Sequence, residues 1–248
     1  MLESGINKVL LAGRLGGELI ITGKDGPDTV TFTDVQTALS DGTLLPNHIS
    51  NVLGEVNISL GEGTNILTLE KGAHFYDSLK LTTGSGADTV NMNNVLVAKN
   101  LGLNLGDGSN ALNTSGLSGS NPGIGGKFKY TGGEDKDLLN INGFVADSMS
   151  IQLGNGINSV AALTQDVMIT GETVSITGGS GVDTIYIGLR TSAADLIANL
   201  LGGDDTLTYT GGALASATLD GGDGTDTITG ASLLPASAAI LHFETENP

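Results

Sequence analysis

The stretch ITGGSGVDTIYI, residues 176–187, decides how this chain folds. Ile176, Ile185 and Ile187 are apolar at alternate positions on either side of a glycine-rich centre. Alternation with a period of two marks a strand with one buried face. The centre, GGSG, marks a tight turn, because glycine takes positive φ at little cost. The stretch therefore reads strand, turn, strand. LDGGDGTDTITG at 219–230 repeats it.

With the turn Asp as position zero, the same frame recurs at Asp28, Asn65, Asp88, Asn110, Asp137, Asn158, Asp183, Asp205 and Asp226. The steps between them are 37, 23, 22, 27, 21, 25, 22 and 21 residues. Position +2 is always aliphatic, from Val30 through Ile185 to Ile228. Position −7 is almost always a strand former, as in Ile21, Ile58, Leu81, Leu103, Tyr130, Ile151 and Ile176. Gly156 and Gly181 stand at −2, where the turn is expected to need a conformation that other residues resist. The turns alternate between a TG…D form and an LG…N form, so Asp88 and Asp183 differ from Asn65, Asn110 and Asn158. Asp205 breaks the alternation.

One unit of about 22 residues cannot bury its apolar face alone, but stacked copies can. The expected fold is all-β: a single parallel β-solenoid over 1–248, with about nine full rungs and a partial rung at each end. Residues 1–16 form the N-terminal partial rung, 17–230 the nine rungs and 231–248 the C-terminal partial rung. At about 4.8 Å per rung, nine rungs make a rod of about 45 Å. A short third apolar cluster, such as VLV 95–97, FVA 144–146 and VMI 167–169, adds a third strand to many coils. The 37-residue step and SGLSGSNPGIGG at 115–126 read as inserted loops.

Composition fits this picture. The chain has 39 Gly, no Cys and a formal net charge of −17. That charge argues against nucleic acid or an anionic membrane as partner and favours cations. No stretch is long and apolar enough for a transmembrane helix, so membrane insertion is not expected. The opening MLESGINKVLLAG has no basic n-region and no long apolar run, so no signal peptide is expected there.

Residues 178–186 and 221–229 both fit G-G-x-G-x-D-x-U-x, U being a large aliphatic residue. They resemble the calcium-binding nonapeptides of RTX-type secreted bacterial β-roll proteins. More broadly, the chain resembles the Gly- and Asp-rich strand-repeat proteins of bacterial cell surfaces. The resemblance implies an extracellular or cell-surface location, an adhesive, matrix or surface-layer role, and Ca²⁺ as a candidate ligand. Because Ca²⁺ takes six to eight oxygens, neighbouring turns would share each ion. Asp183, Asp205 and Asp226 stand on consecutive rungs with Asp204 and Asp223 in the same turns, which makes that end the metal candidate. In the central rungs Asn65, Asp88, Asn110 and Asn158 have a structural reading: Asn and Asp cap turn backbone through their own side chains.

No catalytic constellation is found. His48, His74 and His242 share no rung position, and His74, Tyr76 and Lys80 form one weak cluster, with Tyr76 expected to cover a corner of the core. No G-x-S-x-G, H-E-x-x-H or P-loop pattern occurs. Outward threonines in TVTFT 29–33 and TLTYT 206–210 are ordinary for exposed strands.

Carried backward, the frame places Asn7 at zero, Val9 at +2 and Leu11 at +4. Carried forward, it places Ala239, Leu241 and Phe243 at −9, −7 and −5 and residue 248 at zero. The half rung missing at one end would be the half left over at the other. The expectation is a non-enzymatic extracellular structural protein that assembles head-to-tail with itself into filaments or a surface layer. The alternative is a calcium-binding repeat module of a larger secreted adhesin or enzyme, stacked on neighbouring repeats.

Overall fold

The computed structural model describes residues 1–33, 50–115, 123–143, 145–171, 173–191 and 194–247, with 145, 162–166 and 191 described by backbone alone. Its strands form three parallel sheets that share one core, a β-solenoid of about nine turns. The segment after each glycine turn enters a twelve-stranded sheet, which begins Asn7–Leu11, Asp28–Phe32, Ile66–Leu69 and ends Thr227–Thr229, Thr245–Asn247. The segment before each turn enters a ten-stranded sheet, from Leu19–Thr22 to Ala239–Leu241. Arg14–Leu15, Asn51–Val52, His74–Phe75 and Leu96–Val97 make a four-stranded third face.

The register follows the sequence frame. Val9 pairs with Val30, Val30 with Leu67 and Leu67 with Val90, and the +2 column continues through Ile185 and Leu207 to Ile228. From Val30 to Ile228 the column is buried. Ile185 lies fully buried between Val160 and Leu207, while Tyr186 at +3 points outward. One face of each strand turns inward because that face is continuously apolar; the other is mostly Thr, Ser and Asn, with scattered Lys and exposed residues such as Ile20, Leu138 and Ile197.

The expected third strand is present at Leu96–Val97 and at Val145–Ala146, although Phe144 lies outside the described residues. Val167, Met168 and Ile169 instead belong to one long strand, Ser159–Ile169, which turns the corner with irregular register. The stretch at 115–126 is not wholly a loop. Residues 116–122 lie outside the described set, but Ile124 is buried and bridges to Val97, extending the third face. Most of the insertion in the 37-residue step, including His48, also lies outside the described residues.

The two ends differ. At the N-terminus Asn7, Val9 and Leu11 occupy their expected positions opposite Asp28, Val30 and Phe32. At the C-terminus the expected frame is wrong by one residue. Thr218 pairs with Ala239, Leu219 with Ile240 and Asp220 with Leu241, so Ile240, not Leu241, takes the inward −7 position. Ala239 and Leu241 are exposed, and Phe243 packs partly against the core. The last rung also closes. Glu244 reaches position zero and Thr245–Asn247 pair with Thr227–Thr229, because the final turn is shorter than the others. The inward +2 position there is Glu246, a charged residue in the place of the aliphatic column. A short 3-10 helix, Ala231–Leu233, precedes this rung.

Candidate functional site

The residues at position zero form one continuous column inside the rod. Asp28, Asn65, Asp88, Asn110, Asp137, Asn158, Asp183, Asp205 and Asp226 are all buried. Asp28 Oδ1 accepts from the Asn7 side-chain amide at 2.7 Å, and from Asn65 on each side chain accepts the backbone N–H of the zero residue one rung earlier. Asp28 donates to Asn65 Oδ1 at 3.0 Å, Asn65 to Asp88 at 2.7 Å and Asp88 to Asn110 at 3.0 Å. Asn110, Asp137 and Asn158 continue to Asp137, Asn158 and Asp183 at 3.2, 2.9 and 3.2 Å. Asp183 donates to Asp205 and Asp205 to Asp226, both at 2.7 Å. Glu244 ends the column by accepting the Asp226 N–H at 2.6 Å, a role the sequence frame did not reveal. A buried N–H without an acceptor costs about 1–3 kcal/mol, which explains why this position never holds an apolar residue.

The second atom of each side chain separates the two turn types. In the Asn turns Nδ2 donates back to turn carbonyls. Asn65 reaches Gly61 O at 3.2 Å and Gly63 O at 2.9 Å, and Asn158 reaches Gly154 O at 3.2 Å and Gly156 O at 3.4 Å. In the Asp turns Oδ2 has no such use. The Oδ2 atoms of Asp28, Asp88, Asp137, Asp183, Asp205 and Asp226 are buried and make no hydrogen bond of regular geometry, although the Thr83 hydroxyl, the Tyr130 hydroxyl and the Gly179 N–H lie near enough to favour the charged carboxylates of Asp88, Asp137 and Asp183. Burial accordingly pushes the carboxyls of Asp137 and Asp183 up to about 6 and that of Asp205 up to about 7, with Asp183, Asp226 and Asp204 adding repulsion at Asp205. Asp88 and Asp226 are raised for the same first reason.

Position −5 decides where Oδ2 can point. Asn turns have Leu60, Leu105 and Leu153 there; most Asp turns have glycine, as at Gly23, Gly132, Gly178 and Gly221. A Cβ at Gly178 would stand 2.3 Å from Asp183 Oδ2 and one at Gly221 would stand 2.7 Å from Asp226 Oδ2. The glycine makes room for the carboxylate. Asp88 has the small Thr83 at −5, and Asp205 departs furthest: Leu200 stands at its −5 and Leu201, with φ 72°, at its −4. That turn has the Asn geometry and an Asp in it.

The two −2 glycines examined in the sequence do different work. Gly156 has φ 107°, as expected. Gly181 does not lie in the left-handed region; a Cβ there would stand 1.9 Å from Gly156 O. Close stacking of successive turns, not backbone conformation, requires glycine at 181.

Outside the column a second set of contacts runs along the turns. Glu62 accepts from Ser85 N at 2.8 Å and from its hydroxyl, which holds the Glu62 carboxyl below its ordinary value. Asp107 accepts from Glu134 N, Asn155 from Ser180 N, and Asp204 from Thr225 N. Asp204 and Asp223 are exposed, whereas Asp183, Asp205 and Asp226 are buried, so the five metal candidates are split between the outside and the inside of the turns. Among the described residues no group of three or more His, Cys, Asp or Glu side chains is gathered as a metal site. A cation at these turns would have to rely on Oδ2 and turn carbonyls.

His74 and Tyr76 meet edge to face at 6.3 Å. Tyr76 is half exposed and Phe75 fills the corner of the core expected of it. His242 bonds Asp220 at 2.7 Å, which raises its pKa. The described histidines are thus on separate faces. Of the site, sequence reasoning found the column and its alternation. It missed Glu244 and the meaning of position −5, although the Leu–Asn and Gly–Asp pairing is visible in the sequence. Compared with protein-family models, curated proteins and solved structures, the chain has no match in any of the three.

Proposed function

We propose that this chain is a structural protein, a stiff non-enzymatic rod of an extracellular surface or matrix. The observation that supports it is the zero column. The buried ionisable groups of the turns lie in one hydrogen-bonded rail along the rod, where they hold rung to rung. Stiff rods of this kind build filaments or layers by self-association. Because Leu241 faces solvent and Thr245–Asn247 pair with Thr227–Thr229 of the same chain, the reading relies on association of whole rods instead of exchange of half rungs. Electron microscopy and light scattering of the purified protein test the reading. Straight rods that gather into filaments or sheets with rising concentration are expected; flexible or compact particles, or turnover of a polysaccharide, would remove its basis.

A second reading, a calcium-binding repeat module, is favoured by the orphan Oδ2 atoms alone. Ca²⁺ would supply the positive charge those oxygens lack, shared between neighbouring turns near Asp183, Asp205 and Asp226. Calorimetric titration of metal-stripped protein distinguishes the two: heat and a rise in Tm support the module, and neither appears if the column is structural alone.

A further inference from the structure

The twelve-stranded sheet has an outer face unlike the rest of the molecule. From Thr29 to Thr229, every outward residue at +1 and +3 is uncharged, in a chain of net charge −17. The outer face of the ten-stranded sheet, by contrast, presents Lys80, Lys129 and Asp220. The acidic side chains gather instead on the turn edge, as at Asp25, Glu62, Asp107 and Glu134.

We propose that this uncharged face is the adhesive face of the rod and that its occupant is an extended neutral polysaccharide. The proposal rests on the structural reading above and names its partner. Hydroxyl and amide groups, which both donate and accept, dominate the face, and sugar hydroxyls have the same dual character. These groups are held before any ligand arrives. Asn113 donates to Asn91 at 3.1 Å and Asn140 to Asn113 at 2.9 Å, and threonine is stiff at χ1. Binding therefore orders few side chains. Tyr186 stands 45 % exposed on the same face, across from Thr208, beside a strand whose register shifts between Val160 and Leu163. Its ring offers an apolar platform for the C–H face of a pyranose. At about 4.8 Å per rung the face runs about 40 Å, which suits a chain of sugars better than a single one.

Charge selects among the partners. An anionic polymer is repelled by the acidic chain, and a cationic one is drawn to the turn edge. A neutral polymer meets none of these penalties.

The test is retention of the intact protein by a panel of neutral polysaccharides (cellulose, chitin, xylan, a β-1,3-glucan, dextran) and anionic ones (alginate, polygalacturonate). At least one neutral polymer should retain it and the anionic ones should not. Tyr186→Ala should weaken retention by up to about tenfold. Thr208→Asp should abolish it, and Ser175→Asp, outward on the other sheet, should leave it unchanged. Melting curves confirm that each variant folds. No retention by any neutral polymer, retention by an anionic one, or equal effects of Thr208→Asp and Ser175→Asp would overturn the proposal. So would side-by-side dimers or ice shaping that Thr208→Asp removes, since either gives the face to another occupant. Rod shape in the microscope is scored separately, so that loss of the glycan partner and loss of the structural reading are distinguishable.

Discussion

The turns at Asn158 and Asp205 follow the same backbone course, and at position zero their side chains differ by one heavy atom. Both have leucine at −5, Leu153 and Leu200, and a left-handed residue at −4, Gly154 with φ 77° and Leu201 with φ 72°. Both have a positive-φ glycine at −2, Gly156 at 107° and Gly203 at 128°. At Asn158 the amide donates to Gly154 O and Gly156 O, and also to Asp183 Oδ1 at 3.0 Å. At Asp205 an oxygen that cannot donate stands in the place of that amide, buried and unpartnered. A carboxylate in a pocket shaped for an amide needs a proton or a cation to complete it. The other Asp turns avoid part of the conflict through glycine or, at Thr83, a small residue at −5. Amides thus separate the carboxyls where Asn and Asp alternate, whereas Asp183, Asp205 and Asp226 stand on adjacent rungs and repel one another.

The largest effect should come from breaking the stacking that both turn types share. Gly181→Val would push side-chain atoms into the Gly156 carbonyl, and about 3 kcal/mol or more of stability should be lost. Ser180→Val, one residue away and exposed, should cost well under 1 kcal/mol. Denaturant melts of the two variants measure the difference. Equal costs would mean that the turns do not touch as described.

Next, the comparison can be made worse on purpose. Asn158→Asp would join Asp137 to Asp183, Asp205 and Asp226 in an unbroken run of five carboxylates on consecutive rungs, and would delete the donations to Gly154 and Gly156. A loss of about 2–3 kcal/mol is expected at pH 8, shrinking at pH 5 as the new carboxyl protonates. A variant as stable as the parent at pH 8 would show that the amide is not what this turn requires.

The reverse change repairs the exception. Asp205→Asn should supply the missing donor and stabilise the metal-free protein by about 1–2 kcal/mol at pH 8. The pH dependence follows from the same groups. Asp137, Asp183 and Asp205 have folded-state values of about 6, 6 and 7, above the unfolded value near 3.9. The folded protein therefore holds protons that the unfolded chain has released. This contribution is complete below about pH 4 and is lost as pH rises through about 7. The Tm of metal-free protein should be higher at pH 5 than at pH 8, and Asp205→Asn should flatten the difference. Glu62 and Asp77, both lowered, act the other way and limit stability as acid protonates them. If saturating Ca²⁺ raises the parent at pH 8 and leaves Asp205→Asn behind it, the cation completes the turn; if Ca²⁺ moves neither, a proton does.

How far the sequence reaches is clear from particular residues. Period-two apolar columns such as Val160, Ile185 and Leu207 define strand, face and register together, because a slip of one residue would expose the whole column. The zero column is legible for a similar reason, since within the repeats a short side chain with an acceptor oxygen, Asn or Asp, serves its buried amides. The final rung was not legible. Its turn is shorter than the repeat, so extrapolating the period put Leu241 where Ile240 belongs. Gly181 misled for another reason: sequence cannot separate a glycine required by φ from one required by a neighbour's carbonyl. The Asp205 conflict was visible as a broken alternation, but its meaning needs Leu200 beside it and the donor geometry of Asn158.

The smallest predicted effect isolates the backbone half of the comparison from the side-chain half. Leu201 holds the left-handed conformation that glycine holds at 61, 106 and 154 in the Asn turns, and its side chain is 46 % exposed. A non-glycine residue in that region costs roughly 1 kcal/mol, and an exposed leucine recovers little of it through packing. Leu201→Gly removes the strain but gives the unfolded chain more freedom, which offsets part of the gain. A net stabilisation of about 0.5 kcal/mol is expected from these two terms. It should be the same at pH 5 and pH 8, because no charge changes. Combined with Asp205→Asn, the two gains should add at pH 8, since one acts on φ and the other on a missing donor. A double variant no more stable than Asp205→Asn alone would mean that Leu201 is left-handed because of the carboxylate beside it, and that the turn relaxes once the amide is restored.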